Sequence, residues 1–162
     1  MKRFTFLFLT ICLAIVASHC SSQSKMMRAS SASGQELLQA INAVRAKGCN
    51  CGNTYMPPVK ALQWNAKLEA AAQNHSNYMH RRKLLTHSGP HNTTPADRVK
   101  AAGYPWSYVA ENIALGQPSV KEVMNSWLQS VEHCKNIMSN KATEMDAALK
   151  GEFWTAVFAA PM

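Results

Sequence analysis

The first amphipathic pattern of the folded part lies in the segment QELLQAINAVRAK, which ends just before Gly48. The apolar positions that share one helical face are Leu37, Leu38, Ile41 and Val44. This spacing predicts a helix that stops at the glycine. The following segment, residues 48–64, is rich in Gly, Asn and Pro and is predicted to be a loop.

The longest helical pattern follows Asn65, which is expected to cap the helix AKLEAAAQNHSNYMHRRK. The residues predicted to share its inner face are Leu68, Ala71, Ala72, His75, Tyr78 and Met79. A histidine on an apolar face is best explained as a hydrogen-bonded core residue, and we interpret His75 in this way. The same helix leads the chain directly to His87.

Shorter patterns complete the predicted fold. Thr94 is expected to cap a short helix with Pro95 at its first position, and SYVAENIALG reads as a strand. Ser119 opens a further helix, and EMDAAL, a Lys-Gly turn and EFWTAVFAA predict a terminal hairpin. Trp64, Trp127 and Trp154 are expected to be core anchors. Helices around a few antiparallel strands predict an α+β layered sandwich.

The first residues differ from the rest of the chain. Lys2 and Arg3 precede an uncharged apolar run, residues 4–17, and small residues follow it. This order is typical of an export signal, and the run is shorter than a membrane-spanning helix requires. We predict an export signal over residues 1–20, a Ser-rich tether over 21–34 and one domain over 35–162.

Cys20 follows the apolar run and stands among small residues, an arrangement that resembles the lipid-attachment site of bacterial lipoproteins. His19 departs from that pattern, because a small residue is usual there. The prediction is an exported protein, either a lipoprotein of the outer or cell membrane or a secreted or periplasmic protein. In the lipoprotein case the membrane is reached through the lipid anchor.

Three cysteines, Cys49, Cys51 and Cys134, remain after the predicted signal and anchor. Disulfides persist outside the cytosol, and Cys49 and Cys51 are too close in sequence to bridge each other without strain. Cys134 is therefore expected to pair with one of them, with Cys51 favoured and Cys49 left as a free thiol. A metal site built on the Cys-x-Cys pair and a histidine is the alternative, although its spacing is unusual for zinc.

Charge narrows the choice of partners only a little. The formal net charge of +8 falls to +6 once Lys2 and Arg3 leave with the signal. An exported protein whose basic residues are not interleaved with aromatic ones is not expected to bind nucleic acid. Attraction to lipid, glycan or another acidic envelope component fits the compartment better, and we expect a monomer.

The polar residues that stand out from these apolar patterns are His87, Glu111 and His133. Glu111 is the most informative, because a carboxylate within an apolar strand is costly to bury without a partner. A histidine can supply one by donating a ring N–H, which also fixes its tautomer and raises its basicity. We therefore predict that the three side chains converge in one cleft.

Six segments resemble the CAP superfamily, which contains cysteine-rich secretory proteins, antigen 5 and pathogenesis-related proteins, and above all its bacterial SCP-domain branch. They occur in the family's order: ALQWNAKLEAAAQNHSNYM, THSG, AGY, AENIALG, SWLQSVEHCKNIM and EFWTAVF. The resemblance covers roughly residues 35–161 and implies a three-layer α-β-α sandwich with a small antiparallel sheet and a central cleft. It places the family's cleft histidine on His87 and a cleft glutamate on Glu111.

The resemblance is incomplete at the cleft. Ser130 stands about where the family's second glutamate lies, and EFWTAV lacks the second histidine, so His133 is the substitute as in bacterial relatives. A zinc site like those proposed for the eukaryotic branch is therefore in doubt, although His87, Glu111 and His133 could supply a three-ligand zinc set with an open position. The resemblance also supports the pair Cys51–Cys134, since bacterial relatives carry similar Cys-Gly and Gly-His-Cys segments.

These features predict a binding or interaction module at the cell envelope. The alternative is a metal-dependent hydrolase that acts on envelope or extracellular material. Hydrolysis through a side-chain nucleophile needs an activated Ser, Cys or Thr beside a base. The sequence contains neither a Gly-x-Ser-x-Gly elbow nor a His-Glu-x-x-His helix, and we assign no catalytic residue.

Overall fold

The computed structural model describes residues 33–162. The predicted export signal, Cys20 and nearly all of the predicted tether lie outside the described residues. Within the described range, no helix combines the length and the apolar character that crossing a bilayer requires.

Helices flank one four-stranded sheet and a small two-stranded one. The helix α1 covers residues 33–47, and a single 3-10 turn covers Pro90–Asn92. The other elements are β1 (Cys49–Cys51), β2 (Thr54–Met56), β3 (Gln63–Trp64), α2 (Ala66–Arg82), α3 (Pro95–Ala101), β4 (Trp106–Leu115), α4 (Val120–Gln129), α5 (Val131–Ile137), β5 (Glu144–Lys150) and β6 (Phe153–Pro161).

The predicted caps begin the predicted helices. The side chain of Asn65 accepts a hydrogen bond from the backbone of Lys67, and Ser119 opens α4 in the same manner. Thr94 and Asp97 form a reciprocal capping box at the start of α3, with Pro95 at its first position. These three predictions are confirmed.

The prediction of a loop over residues 48–64 is wrong in part. β1 pairs antiparallel with β2, and β3 pairs parallel with β5. Strands of two or three residues are too short to show an alternating pattern, and the partner of β3 lies far along the chain. None of these three strands could therefore be recognised from local sequence.

The strand order β3-β5-β6-β4 makes β5 and β6 the two interior strands, and the predicted hairpin of β5 and β6 is confirmed. Alternate residues of β6 face different layers. Trp154, Ala156 and Phe158 join the core formed with α1, α4 and α5. Val157 and Ala159 join the core formed with α2 and α3. The fold is thus the expected α+β architecture, an α-β-α sandwich.

Two of the three tryptophans that were predicted to be core anchors are indeed core anchors. Trp127 and Trp154 are buried, and their indole N–H groups donate to the carbonyls of Ile113 and Gln117. Trp64 is 45 % exposed, so the prediction for that residue is wrong. The reason is its place on β3, the edge strand of the sheet.

The disulfide joins Cys51 to Cys134, as predicted, with a Cα–Cα distance of 5.4 Å and a sequence separation of 83. Cys49 is free. Its Sγ lies 3.7 Å from Sγ of Cys134, because residues two apart on a strand face the same side. Burial raises the pKa of the Cys49 thiol.

Asp146 is a carboxyl on β5 that is only 2 % exposed. Its Oδ1 accepts a hydrogen bond from the backbone of Ala147, while Oδ2 lacks a well-formed hydrogen bond in the described part of the chain, although the side chain of Trp64 lies close enough to interact with the carboxyl. Burial, aided by the negative charge of Glu69, raises the pKa of Asp146 from 3.8 to about 7. The folded state therefore binds this proton more tightly than the unfolded state, and stability falls as the pH rises from about 4 through 7.

Asp146→Asn should therefore remove a pH-dependent loss of stability. We expect the free energy of unfolding at pH 8 to rise by about 1–2 kcal/mol, with little change at pH 4. Urea unfolding at pH 4, 6 and 8 measures the effect. Asp97→Asn is the control, and it should lower the free energy of unfolding at pH 8 rather than raise it, because hydrogen bonds from Thr94 lower the pKa of Asp97. The prediction would be contradicted if the free energy of unfolding changed with pH in the same way in the wild type and in Asp146→Asn.

Candidate functional site

Glu111 is the centre of the site. It lies on β4, and its side chain is only 1 % exposed. Oε2 accepts a hydrogen bond from Nη2 of Arg98 at 2.6 Å, and Oε1 accepts one from Nδ1 of His87 at 2.9 Å. Each carboxylate oxygen therefore has a partner, which is what a buried carboxylate requires.

The loop after α2 positions His87. Lys83 ends the helix in a left-handed conformation with φ 53°, and the chain then crosses towards β4. Gly89 follows His87 closely, and a Cβ there would lie 2.5 Å from Oγ1 of Thr93. The His-Ser-Gly sequence thus fits a turn that has no room for a side chain at its third position.

Arg98 ties this loop to the carboxylate. Besides Glu111, its guanidinium donates to the carbonyls of His87 at 3.0 Å and Thr93 at 2.9 Å. The sequence interpretation missed Arg98. A buried carboxylate does call for a cationic partner, but no local pattern distinguishes Arg98 among the 17 Lys and Arg residues.

His75 lies behind the pair of His87 and Glu111. It is fully buried, and its Nε2 donates to the carbonyl of Thr86 at 2.7 Å, so the predicted hydrogen-bonded core histidine is confirmed. The same nitrogen is 3.8 Å from Oε1 of Glu111. Burial lowers the pKa of His75, although the negative charge of Glu111 opposes this, and the ring is neutral at ordinary pH.

His133 occupies the adjoining end of α5 without a hydrogen bond to Glu111. Its ring faces Trp127 at a centroid distance of 6.4 Å, and its carbonyl accepts a hydrogen bond from Asn112 at 3.0 Å. Burial lowers the pKa of His133, and the charge of His87 lowers it further. The structure thus brings His87 and Glu111 into direct contact, with His133 nearby but not bonded to them.

Two asparagines that the sequence interpretation did not single out join α5 to β4. Asn136 donates to the side-chain oxygen of Asn112 at 2.9 Å and to the carbonyl of Glu111 at 3.4 Å. Asn112 is fully buried. This pair fixes the position of α5, and therefore of His133, relative to the strand that carries Glu111.

A cavity of about 350 Å³ lies between α2 and α3 and is lined in part by His75 and Arg98. Asn74, Tyr78 and Arg81 also contribute to its wall. Arg98 therefore contacts the loop that carries His87 and also lines this groove on the helical layer.

The arrangement does not fit a zinc set made of His87, Glu111 and His133. Both oxygens of Glu111 are already engaged, and within residues 33–162 the three residues do not form a group with ligand atoms inside 4.8 Å of one another. In that range such a group is found for Cys49, Cys51 and Cys134. Two of these sulfurs are joined in the disulfide and cannot act as thiolate ligands.

The geometry fixes the tautomer of His87. A carboxylate only accepts hydrogen bonds, so Nδ1 of His87 carries the proton donated to Glu111. In the neutral ring Nε2 then holds a lone pair, and the side chain is 52 % exposed. The site can therefore offer an oriented acceptor to a hydroxyl or amide donor, or a proton acceptor to water.

The fold and this site define an α-β-α sandwich protein in which a buried carboxylate on the sheet holds a half-exposed histidine. The sequence model of the cysteine-rich secretory protein family, CAP, matches residues 38–149, and the chain belongs to this family. The family expected from the sequence motifs is thereby confirmed.

Individual relatives agree with this assignment. The chain is 31 % identical over 102 residues to the uncharacterized protein YkwD of Bacillus subtilis, of whose length it spans 40 %. An extracellular protein with an SCP domain from Bacillus anthracis has a similar fold, with a TM-score of 0.73 at 23 % identity, over 84 % of this chain and 43 % of that one. An outer surface protein of Borrelia burgdorferi gives a TM-score of 0.69 at 20 % identity, over 79 % and 92 %.

Proposed function

We propose that the protein is an exported binding module of the cell envelope, in which His87 recognises a hydroxyl-bearing glycan component. The observation that carries the proposal is the half-exposed His87 ring, held at Nδ1 by the buried Glu111. Nε2 is the acceptor that a sugar hydroxyl can meet. A fixed ring loses little conformational freedom when it binds, which favours recognition.

Export is supported by the chain and by its relatives. The disulfide between Cys51 and Cys134 is stable in an oxidising compartment. The relatives from Bacillus anthracis and Borrelia burgdorferi are described as extracellular and as an outer surface protein. Together with the basic and apolar start of the chain, these features favour an exported protein, anchored through Cys20 or secreted.

A metal-dependent hydrolase of envelope material is the alternative. It is favoured by the same fixed tautomer, which leaves Nε2 of His87 as the atom that can take a proton from water. It is disfavoured by the engagement of both Glu111 oxygens and by the separate position of His133.

Sedimentation with purified peptidoglycan sacculi tests the binding function. His87→Asn should weaken binding about 5- to 10-fold, the value of one hydrogen bond. The asparagine amide places an N–H near the position of Nδ1, so the contact with Glu111 can survive while the acceptor at Nε2 is lost. His91→Asn is the matched control, because His91 is exposed and its positive φ of 55° tolerates asparagine.

Equal sedimentation of wild type, His87→Asn and His91→Asn would contradict the proposal. Metal analysis by mass spectrometry distinguishes the alternative. One equivalent of zinc in the wild type, lost in the double variant His87→Ala with His133→Ala, would favour the hydrolase. Absence of metal from pH 5 to pH 8 would remove it.

A further inference from the structure

Two leucines that lie just beyond the C-terminal end of α2 are about half exposed. Leu84 is 50 % exposed and Leu85 is 43 % exposed. They directly follow Arg81, Arg82 and Lys83, all of which are exposed. We call residues 81–85 the basic-leucine segment.

The backbone holds this segment in a defined shape. The amide of Lys83 donates to the carbonyl of His80, and the amide of Leu84 donates to the carbonyl of Met79. This closure resembles a Schellman motif, in which the residue after the left-handed position usually packs back onto the helix. Leu84 remains half exposed instead, so part of its apolar surface is free to contact an apolar surface outside the protein.

In the part of the chain that the structure describes, Arg81, Arg82 and Lys83 form no ion pair. The acidic residue of the first turn of α2, Glu69, lies at the opposite end of the helix. The segment therefore combines a concentrated positive charge with exposed apolar side chains.

We propose that the basic-leucine segment is a docking surface for an anionic lipid bilayer. Cationic side chains near such a surface gain about 1 kcal/mol each, and leucines gain by entering the acyl boundary. A soluble anionic polymer would satisfy the charges but would leave the leucines in water. Because one acyl chain alone gives marginal membrane binding, a basic surface on the domain would also reinforce an anchor at Cys20.

Docking through this segment has a consequence for the neighbouring His87. Thr86 alone separates Leu85 from His87, so the ring of His87 would be held near the bilayer surface. The proposal does not depend on what His87 binds, since no residue of the segment forms an ion pair with Glu111 in the described structure.

Hydrogen exchange of the full-length chain with lipid vesicles tests the docking surface. A local readout is needed, because the apolar run of residues 4–17 can itself enter vesicles. Vesicles of phosphatidylcholine with 30 % phosphatidylglycerol should slow the amide exchange of residues 83–88 about 10-fold or more. Vesicles of phosphatidylcholine alone should not slow it.

Two pairs of substitutions separate the charge from the apolar contribution. Leu84→Ser with Leu85→Ser should abolish the protection of residues 83–88. Arg81→Gln with Arg82→Gln should raise the lipid concentration needed for half of the full protection about 30-fold, which corresponds to about 1 kcal/mol per charge. Val131→Ser, at a residue 40 % exposed elsewhere on the surface, should leave it unchanged.

Three results would overturn the proposal: no protection in the wild type, protection retained in the leucine pair, or equal protection by polyphosphate in solution. The second and third would indicate a surface for anionic polymers. Thermal unfolding followed by circular dichroism verifies that each variant is folded, and exposed positions are expected to tolerate these changes.

Discussion

Cys134→Ala is expected to lower the free energy of unfolding by about 4 kcal/mol, whereas Cys51→Ala should lower it by only about 1 kcal/mol. The first value follows from the separation of 83 residues that the disulfide closes. The second follows from Cys49, whose Sγ lies 3.7 Å from Sγ of Cys134. When Cys51 is absent, a small shift brings Cys49 within bonding distance and restores a loop of nearly the same length.

Urea unfolding and alkylation measure the two effects. In Cys51→Ala the thiol of Cys49 should resist iodoacetamide until a reductant is added, while in Cys134→Ala it should react at once on denaturation. Cys49→Ala is the control that keeps the native bridge and should retain the stability of the wild type. Equal destabilisation by Cys51→Ala and Cys134→Ala, with Cys49 alkylated in both, would contradict the prediction.

Elements with a strong local signal were predictable from the sequence. The caps Asn65, Thr94 and Ser119 satisfy the free N–H groups of the first helical turn with their own side chains, so their effect can be read locally. Strands such as β3 depend on pairing with a distant partner, and two residues carry no periodicity. The exposure of Trp64 follows from that edge position and was missed for the same reason.

The candidate site was predictable in its central pair and not in its surroundings. Glu111 stood out because a carboxylate in an apolar strand requires a partner, and the family resemblance placed His87 beside it. Arg98 approaches from a separate helix, and only the packing of α3 against β4 shows that it reaches the same carboxylate. The convergence of His133 with this pair stays a prediction.

Arg98→Met is expected to lower the free energy of unfolding by about 3–5 kcal/mol, because it leaves Glu111 buried with a single remaining donor from His87. Glu111→Gln should cost less, since Arg98 would still donate to the carbonyls of His87 and Thr93. The double variant, Arg98→Met with Glu111→Gln, should lose less stability than the sum of the two single losses. The reason is that the buried charge of Glu111, which Arg98→Met alone leaves without its cationic partner, is absent from the double variant.

Urea unfolding of the wild type, the two single variants and the double variant gives the coupling energy between Arg98 and Glu111. The matched control is the exposed pair of Lys135 and Glu132, at 2.9 Å with side chains 46 % and 81 % exposed, where Lys135→Met should change stability by less than about 1 kcal/mol. A loss of stability for Arg98→Met no larger than that of Lys135→Met would contradict the role of the buried pair.

Because Arg98 also holds the carbonyls of His87 and Thr93, faster hydrogen exchange over residues 86–93 should accompany the loss of stability in Arg98→Met. Arg98 would then both stabilise the fold and fix the loop that presents His87.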